Sequence, residues 1–182
     1  MSKIIKAVSP KGKASWPKLF TPDTRFNPEG VYQTGLVLSP DDAAEFQEKV
    51  KEAFVEEYGK GKLDKALMPW KLDDEGNVVL NFKSKHKPMI VDSLGKAIKG
   101  EMNVGGGSVI KVGTGINPWA IAGKMGVTLY LNAVQIIDLV EYNNSPFGKE
   151  EGGFVATTEL EAPETQEKAS AVEQAEEEDI DF

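Results

Sequence analysis

Lysines and aromatic residues occur side by side at several points of this sequence. Lys83, Lys85 and Lys87 alternate at and just beyond a segment that has the pattern of a β-strand. Ammonium groups suit a row of phosphates, and flat rings suit unpaired nucleobases, each stack contributing roughly 1–3 kcal/mol. The residues predicted to bind a single-stranded nucleic acid are Lys13, Trp16, Lys18, Asn81, Lys83, Lys85, Lys87, Lys111, Trp119, Lys124 and Tyr130.

The same residues also have a structural interpretation. Lysines commonly solvate exposed strand faces, and tryptophans are commonly buried. Phe82 lies on the apolar face of its strand, so we expect it in the core. Trp119 stands in an expected turn and Tyr130 on the polar face of an expected strand. For these two rings the sequence leaves both interpretations open.

Several catalytic chemistries lack the residues they need. The chain has no Cys and a single His, His86, which excludes disulfides, thiolate metal sites and pairs of His ligands. Gly105-Gly106-Gly107-Ser108 lacks phosphate-loop spacing, and Asp73-Asp74-Glu75-Gly76 lacks the ligand positions of a calcium loop. We interpret both segments as turns. We therefore expect no catalytic residues, no metal and no cofactor, and thus no enzyme.

The charge of the chain is divided unequally. The 182 residues include 21 Lys+Arg and 29 Asp+Glu, a formal net charge of −8. Twelve of the acidic residues and one basic residue lie in 150–182, so that segment carries −11 and residues 1–149 carry +3. A mildly basic body joined to its own polyanion predicts competition between that polyanion and an external one.

The body of the chain has the pattern of short strands with one helix inserted. Ser39, Pro40 and apolar residues at every fourth position predict a helix that ends at Gly59. Gly35 indicates a bulge or a close backbone approach within its strand. A mostly antiparallel β-barrel with one packed helix is therefore expected. The expected strands are 4–8, a second ending near Trp16, then 31–38, 78–85, 89–92, 108–113 and 127–140, with loops over 18–30 and 60–74.

We expect a domain boundary near residue 142. Residues 1–142 contain the strands and the helix, and the character of the chain changes from Asn143 onward. Because 155–181 contain no aromatic residue, few large aliphatic residues and a dense acidic run, 143–182 are predicted to form a flexible, disordered acidic tail. The chain has no uninterrupted apolar stretch of about 18 residues and no signal-peptide pattern. We therefore expect a cytoplasmic protein.

A set of short motifs follows one another in a specific order. They are Pro28-Glu29-Gly30-Val31-Tyr32, Val91-Asp92-Ser93-Leu94-Gly95-Lys96, Gly105-Gly106-Gly107-Ser108 before Ile110-Lys111-Val112, the Pro118-Trp119 turn before Gly126-Val127-Thr128-Leu129, and the terminal Asp181-Phe182. In this order they resemble the bacteriophage single-stranded DNA-binding proteins of the short, acidic-tailed replication type.

The resemblance implies an OB-fold body that holds single-stranded DNA in a basic groove during phage DNA replication, recombination and repair. It implies that Trp119 stacks on bases, and that the tail docks on the phage DNA polymerase and helicase/primase in an infected bacterial cell. It also implies that a homodimer is within the family's range. The tail residues to which partner binding is carried over are Glu176, Glu177, Glu178, Asp179, Asp181 and Phe182.

Two other classes of function stay open at this point. An acidic DNA mimic or interaction protein would use the tail to bind a basic protein and would ignore single strands. An enzyme of phosphoester chemistry would need a metal-binding carboxylate cluster that the spacings do not supply.

Overall fold

The computed structural model describes residues 3–141, and eight strands and one α-helix lie within that range. The helix α1 spans Pro40–Tyr58 and is followed by a 3-10 helix over Lys60–Lys65. The predicted tail 143–182, with its partner-binding residues, lies outside the described residues. The strands are β1 (Ile5–Val8), β2 (Gly12–Asp23), β3 (Val31–Leu38), β4 (Trp70–Leu72), β5 (Val78–Ser84), β6 (Met89–Val91), β7 (Val109–Ile121) and β8 (Lys124–Asp138).

Five of these strands close into a barrel. The hydrogen-bonded order runs β7, β2, β3, β5, β8 and back to β7. These pairings are antiparallel except for β5 with β8, where Lys83 lies opposite Tyr130. β1 pairs with β7, β4 with β5, and β6 with β8, so these three strands extend the sheet. The mainly β barrel predicted from the sequence is confirmed.

The alternation within each strand separates a barrel interior from an outer surface. Leu80 and Phe82 of β5 are at most 1% exposed, as is Leu129 of β8. Because successive side chains of a strand point to opposite faces, burying these residues directs Asn81 and Lys83 outward. The apolar core thus decides which polar residues form the outer surface.

Helix α1 forms and ends as the sequence predicts. The Ser39 hydroxyl accepts a hydrogen bond from the Asp42 amide at 3.2 Å, and Pro40 occupies the first turn. Gly59, at φ +88°, ends the helix. The apolar face of α1 packs on the barrel core, with the Phe46 ring centroid 6.5 Å from that of Phe82.

The expected loop over 18–30 is wrong in its first part, because β2 continues to Asp23. Three prolines, Pro17, Pro22 and Pro28, indicated a loop there. The first two lie within β2, in the stretches between Ser15 and Lys18 and between Lys18 and Asp23, where the register with β3 shifts. A residue in a bulge is not paired in the β-ladder, so a proline at that position removes no ladder hydrogen bond.

The expected turn at Pro118-Trp119 is also wrong. Both residues lie within β7, and the chain reverses at Ala122 and Gly123 between β7 and β8. β1 pairs with β7 only as far as Ile116, so Pro118 lies where that edge of β7 is unpaired. A proline is tolerated at such an edge. The expected connection 60–74 likewise contains the 3-10 helix and β4.

Candidate nucleic-acid interface

A row of polar residues crosses the outside of the barrel from β2 to β8. Lys18 lies opposite Gln33, Gln33 opposite Lys83, and Lys83 opposite Tyr130. With neighbouring strands about 4.8 Å apart, the row is about 14 Å long. Lys18 and Lys83 are exposed, and neither forms a salt bridge with any residue in 3–141. The row therefore presents two cations that are not neutralised by a paired carboxylate.

A second row lies beside the first, where Ser15 is opposite Gly35 and Gly35 is opposite Asn81. A Cβ atom on Gly35 would lie 3.1 Å from Ser15 Cβ and 3.2 Å from Val79 Cγ1. Gly35 thus marks a close approach of neighbouring strands, as its place in the sequence predicted, and leaves the surface low at this point. We define the basic band as the surface formed by Trp16, Lys18, Gln33, Asn81, Lys83 and Tyr130.

Trp16 is the most prominent side chain of the basic band. It is 86% exposed, and its backbone has φ +49°, in the left-handed region. A bulky residue other than glycine is rare in this region, where the conformation costs about 1–2 kcal/mol. Trp16 also lies where the register of β2 shifts, so a bulge projects its ring from the barrel. Such strain is concentrated at functional positions.

Tyr130 contributes a second ring at the other end of the band. The side chain is half-buried, and its hydroxyl accepts a hydrogen bond from Asn117 Nδ2 at 3.0 Å. Gly115, the β7 residue opposite Tyr130, has space only for a hydrogen because a Cβ there would lie 2.8 Å from Ile4 Cγ2. Asn117 of the neighbouring strand therefore holds the Tyr130 hydroxyl, and the ring stays partly exposed.

Trp119 lies farther along the same outer face of β7 and β8. It is half-buried and opposite Gly126, where a Cβ would come within 3.0 Å of Trp119 Cζ2. The segment at Leu67 crosses beside Gly126, donating its amide to the Met125 carbonyl at 2.9 Å. Trp119 is thus seated against backbone, with part of its ring accessible, and its predicted stacking role stays a prediction.

A carboxylate clamp lies at the end of β2. Asp23 accepts hydrogen bonds from Arg25 Nε at 3.0 Å, from Arg25 Nη2 at 2.7 Å and from Gln33 Nε2 at 3.1 Å. The Arg25 hydrogen bonds lower the pKa of Asp23 from 3.8 to about 2, and the charge of Lys18 acts in the same direction. The clamp therefore joins the loop after β2 to Gln33 in the basic band.

The lysines that follow β5 extend the positive surface. Lys85 Nζ lies 3.5 Å from Glu29 Oε2, but both side chains are at least 70% exposed, so the pair contributes little stability. Lys87 Nζ lies 5.3 Å from the centroid of the Phe20 ring. This distance suits a cation–π contact. Both lysines remain exposed beside the end of the band.

The structure does not bring all the predicted binding residues together. Lys13 is exposed on β2, two residues before Ser15, and borders the basic band. Lys124 lies six residues before Tyr130 on β8, about 20 Å along the strand. Lys111 of β7 is paired with Gln135, which lies five residues after Tyr130 on β8. These two lysines lie in opposite directions from the basic band. The fold therefore does not place them against the same short segment of ligand as the band.

Sequence reasoning missed three residues of this region. Gln33 was missed because its strand contains no lysine, whereas Asn81 could be predicted from Lys83 and Lys85 on the same strand face. Arg25 and Phe26 were missed because they lie in a segment interpreted only as loop. An Arg-Phe pair between two prolines, Pro22 and Pro28, is a signal that could have identified them, since a charged group and a ring in a turn-rich segment are commonly exposed.

No group of three or more His, Asp or Glu residues within 3–141 is placed to hold a metal ion. In the same range, no helix is long and apolar enough to cross a membrane.

Curated relatives are similar to the chain over most of its length. A single-stranded DNA-binding protein of Enterobacteria phage T3 is 28% identical over 199 residues, covering 86% of this chain and 85% of that protein. The single-stranded DNA-binding protein of Escherichia phage T7 is 29% identical over 185 residues, covering 79% of each chain. No protein-family profile matches the chain.

Solved structures share the fold. The crystal structure of gp2.5, a single-stranded DNA-binding protein encoded by bacteriophage T7, superposes with a TM-score of 0.64 at 23% identity, covering 85% of this chain and all of that chain. The structure of the single-stranded DNA-binding protein of bacteriophage Enc34 in complex with single-stranded DNA superposes with a TM-score of 0.57 at 17% identity, covering 79% of this chain and 89% of that chain. The OB-like fold and the resemblance to phage single-stranded DNA-binding proteins are confirmed.

Proposed function

We propose that this chain binds single-stranded DNA without sequence preference through the basic band. The observation that carries the proposal is Trp16, whose ring is 86% exposed on a strained backbone. It shares the basic band with Lys18 and Lys83, neither of which forms a salt bridge within residues 3–141. The relatives named above, which are single-stranded DNA-binding proteins of phages, support it.

The mechanism follows from the chemistry of the band. Lys18 and Lys83 neutralise phosphates and release counterions, which gives affinity that falls with salt. The rings of Trp16 and Tyr130 offer flat surfaces to unpaired bases, and every base has a π-face, so stacking tolerates any sequence. In a duplex the bases are already stacked on one another, so the rings contribute only to binding of single strands. No catalytic step enters this mechanism.

The acidic tail regulates the band in this proposal. Residues 150–182 carry a net charge of −11. A tail of about thirty residues with a reach of 5–6 Å × √n extends about 30 Å, which is enough to return to the band and compete with DNA. DNA would displace the tail and expose Phe182 and its acidic neighbours to replication partners such as the phage DNA polymerase and helicase/primase.

The test is fluorescence anisotropy with labelled single-stranded and double-stranded oligonucleotides at two salt concentrations. We expect tighter binding to the single strand and weakening with salt. Deleting residues 173–182 should tighten binding to the single strand and abolish stimulation of the partner enzymes. Equal affinity for both DNA forms would refute the binding proposal, and unchanged affinity after deletion would refute tail competition.

A second candidate rests on the tail charge alone. An acidic DNA mimic would bind a basic protein through residues 150–182 and ignore single strands, and the same anisotropy experiment separates it from the first proposal. We also propose that the protein acts in the cytoplasm of an infected bacterial cell and that it forms a homodimer. Light scattering of the purified chain, with and without oligonucleotide, tests the homodimer.

A further inference from the structure

The loop that joins β2 and β3 carries a second prominent ring. Phe26 is 93% exposed, the highest value for a large apolar side chain within residues 3–141. A single exposed apolar side chain is ordinary on a protein surface. What distinguishes Phe26 is the residue before it, because Arg25 is bonded to Asp23 at the end of β2, and Asp23 is bonded to Gln33 of the basic band.

The residue before Phe26 fixes its position. Arg25 Cζ lies over the Phe26 ring, 5.9 Å from its centroid. Arg25 is itself held by Asp23 through Nε at 3.0 Å and Nη2 at 2.7 Å, and the Arg25 amide also donates to Asp23 Oδ1 at 3.0 Å. Charge-assisted bonds of this kind are the stronger ones in proteins. The clamp therefore fixes the backbone and the guanidinium of Arg25, and the exposed Phe26 ring projects from the next residue with that guanidinium beside it.

The clamp also ties the ring to the basic band. Gln33 of the band donates to the Asp23 carboxylate at 3.1 Å. Phe26 is three residues after Asp23, so the two Cα atoms are at most about 11 Å apart. At the far side of the loop, Glu29 forms only an exposed pair with Lys85 at 3.5 Å, which contributes little. The loop is thus attached to β3 through the contact between Asp23 and Gln33.

We propose that Phe26 is a base-stacking platform of the interface, holding a nucleobase of a single strand beyond the end of β2. The inference rests on the proposed function and adds a site to it. Arg25 supports the ring on one side, and the 93% exposure leaves ring surface open for a base. Along the chain the order is Trp16, Lys18 and Phe26. Single-stranded DNA lying along β2 would therefore meet a ring, a cation and a second ring.

The test compares the full-length chain with its Phe26→Ala and Phe26→Tyr variants. Anisotropy is measured on an oligo-dT and on an abasic oligonucleotide of the same length at low salt. Phe26→Ala should weaken binding to oligo-dT about 5- to 150-fold and leave binding to the abasic strand unchanged, because only stacking is lost. Phe26→Tyr keeps the ring and should bind like the wild type. The salt dependence should be the same for all three, since no cation is removed.

Each departure from this result has a distinct meaning. If Phe26→Ala binds oligo-dT like the wild type while Trp16→Ala weakens binding, the stacking role of Phe26 is overturned and the proposed function stands. If Phe26→Ala weakens binding to both oligonucleotides equally, its role is not stacking and the inference is also overturned. If the wild type does not prefer the single strand, the proposed function and the inference fail together.

Discussion

Replacing Trp16 by alanine and by glycine separates the stability of the barrel from the binding of DNA. Both substitutions remove the ring, so both should weaken binding to oligo-dT by about 1–3 kcal/mol, the contribution of one stacked base. They differ only in the backbone at φ +49°. Alanine keeps the left-handed strain, whereas glycine adopts this conformation without a steric cost.

The expected stabilities follow from the exposure of the ring. Because Trp16 is 86% exposed, losing it removes only about 35 Å² of buried apolar surface, or about 0.9 kcal/mol, in either variant. Glycine relieves about 1–2 kcal/mol of strain and adds about 0.5–1 kcal/mol of unfolded-state entropy. Trp16→Gly should therefore be more stable than Trp16→Ala by up to about 1.5 kcal/mol and close to the wild type.

Urea unfolding followed by circular dichroism measures the stabilities, and anisotropy with oligo-dT measures the affinities. The diagnostic result is a glycine variant that is at least as stable as the alanine variant and binds DNA equally poorly. If alanine proves the more stable of the two, Trp16 is not held in a left-handed bulge. If either variant binds like the wild type, the ring is not part of the interface, and the reasoning from its strain and exposure is refuted.

Three further changes test other parts of the molecule. Lys83→Gln should reduce the slope of log affinity against log salt by about 0.7, whereas Lys49→Gln, on helix α1 outside the basic band, should leave the slope unchanged; equal slopes for both variants would exclude Lys83 from phosphate contact. Since Arg25 lowers the pKa of Asp23 from 3.8 to about 2, the ionised Asp23 stabilises the fold fully above about pH 4, and this contribution is lost as the pH falls through about 2. Between about pH 4 and pH 2 the free energy of unfolding of the wild type should therefore fall more steeply than that of Asp23→Asn, as measured by urea unfolding at each pH. Parallel curves of unfolding free energy against pH would contradict the clamp. Gly126→Ala should lower the unfolding free energy by about 1–3 kcal/mol, because its Cβ meets the Leu67 backbone, and a thermal melt like that of the wild type would disprove this packing.

Local patterns in the sequence were enough to predict most of the elements. The Ser39 cap, the Pro40 start and the Gly59 end of α1 depend on neighbouring residues only, so each could be predicted and each is confirmed. The alternation in β5 also placed Phe82 inside and Lys83 outside without knowledge of the partner strands. These features depend on contacts between near neighbours in the chain.

The errors at Pro22 and at Pro118 have a common cause. Pro22 argued against a strand, and Pro118 suggested a turn, because proline cannot donate to a β-ladder. Both prolines nevertheless lie in strands, one beside a register shift and the other where the edge of β7 is unpaired. Whether the missing donor matters depends on what lies beside each strand, and a single sequence does not contain that information.

The sequence by itself determined the residue types of the site, namely lysines and rings on the polar faces of strands, and the uneven division of charge along the chain. Only the tertiary structure decided which of them are neighbours. Closure of the barrel aligns Lys18, Gln33, Lys83 and Tyr130, which are far apart in the chain, and leaves Lys111 and Lys124 away from that row. The physical reason is that strand register, which is set by the packing of the whole core, converts separation along the chain into proximity across the sheet.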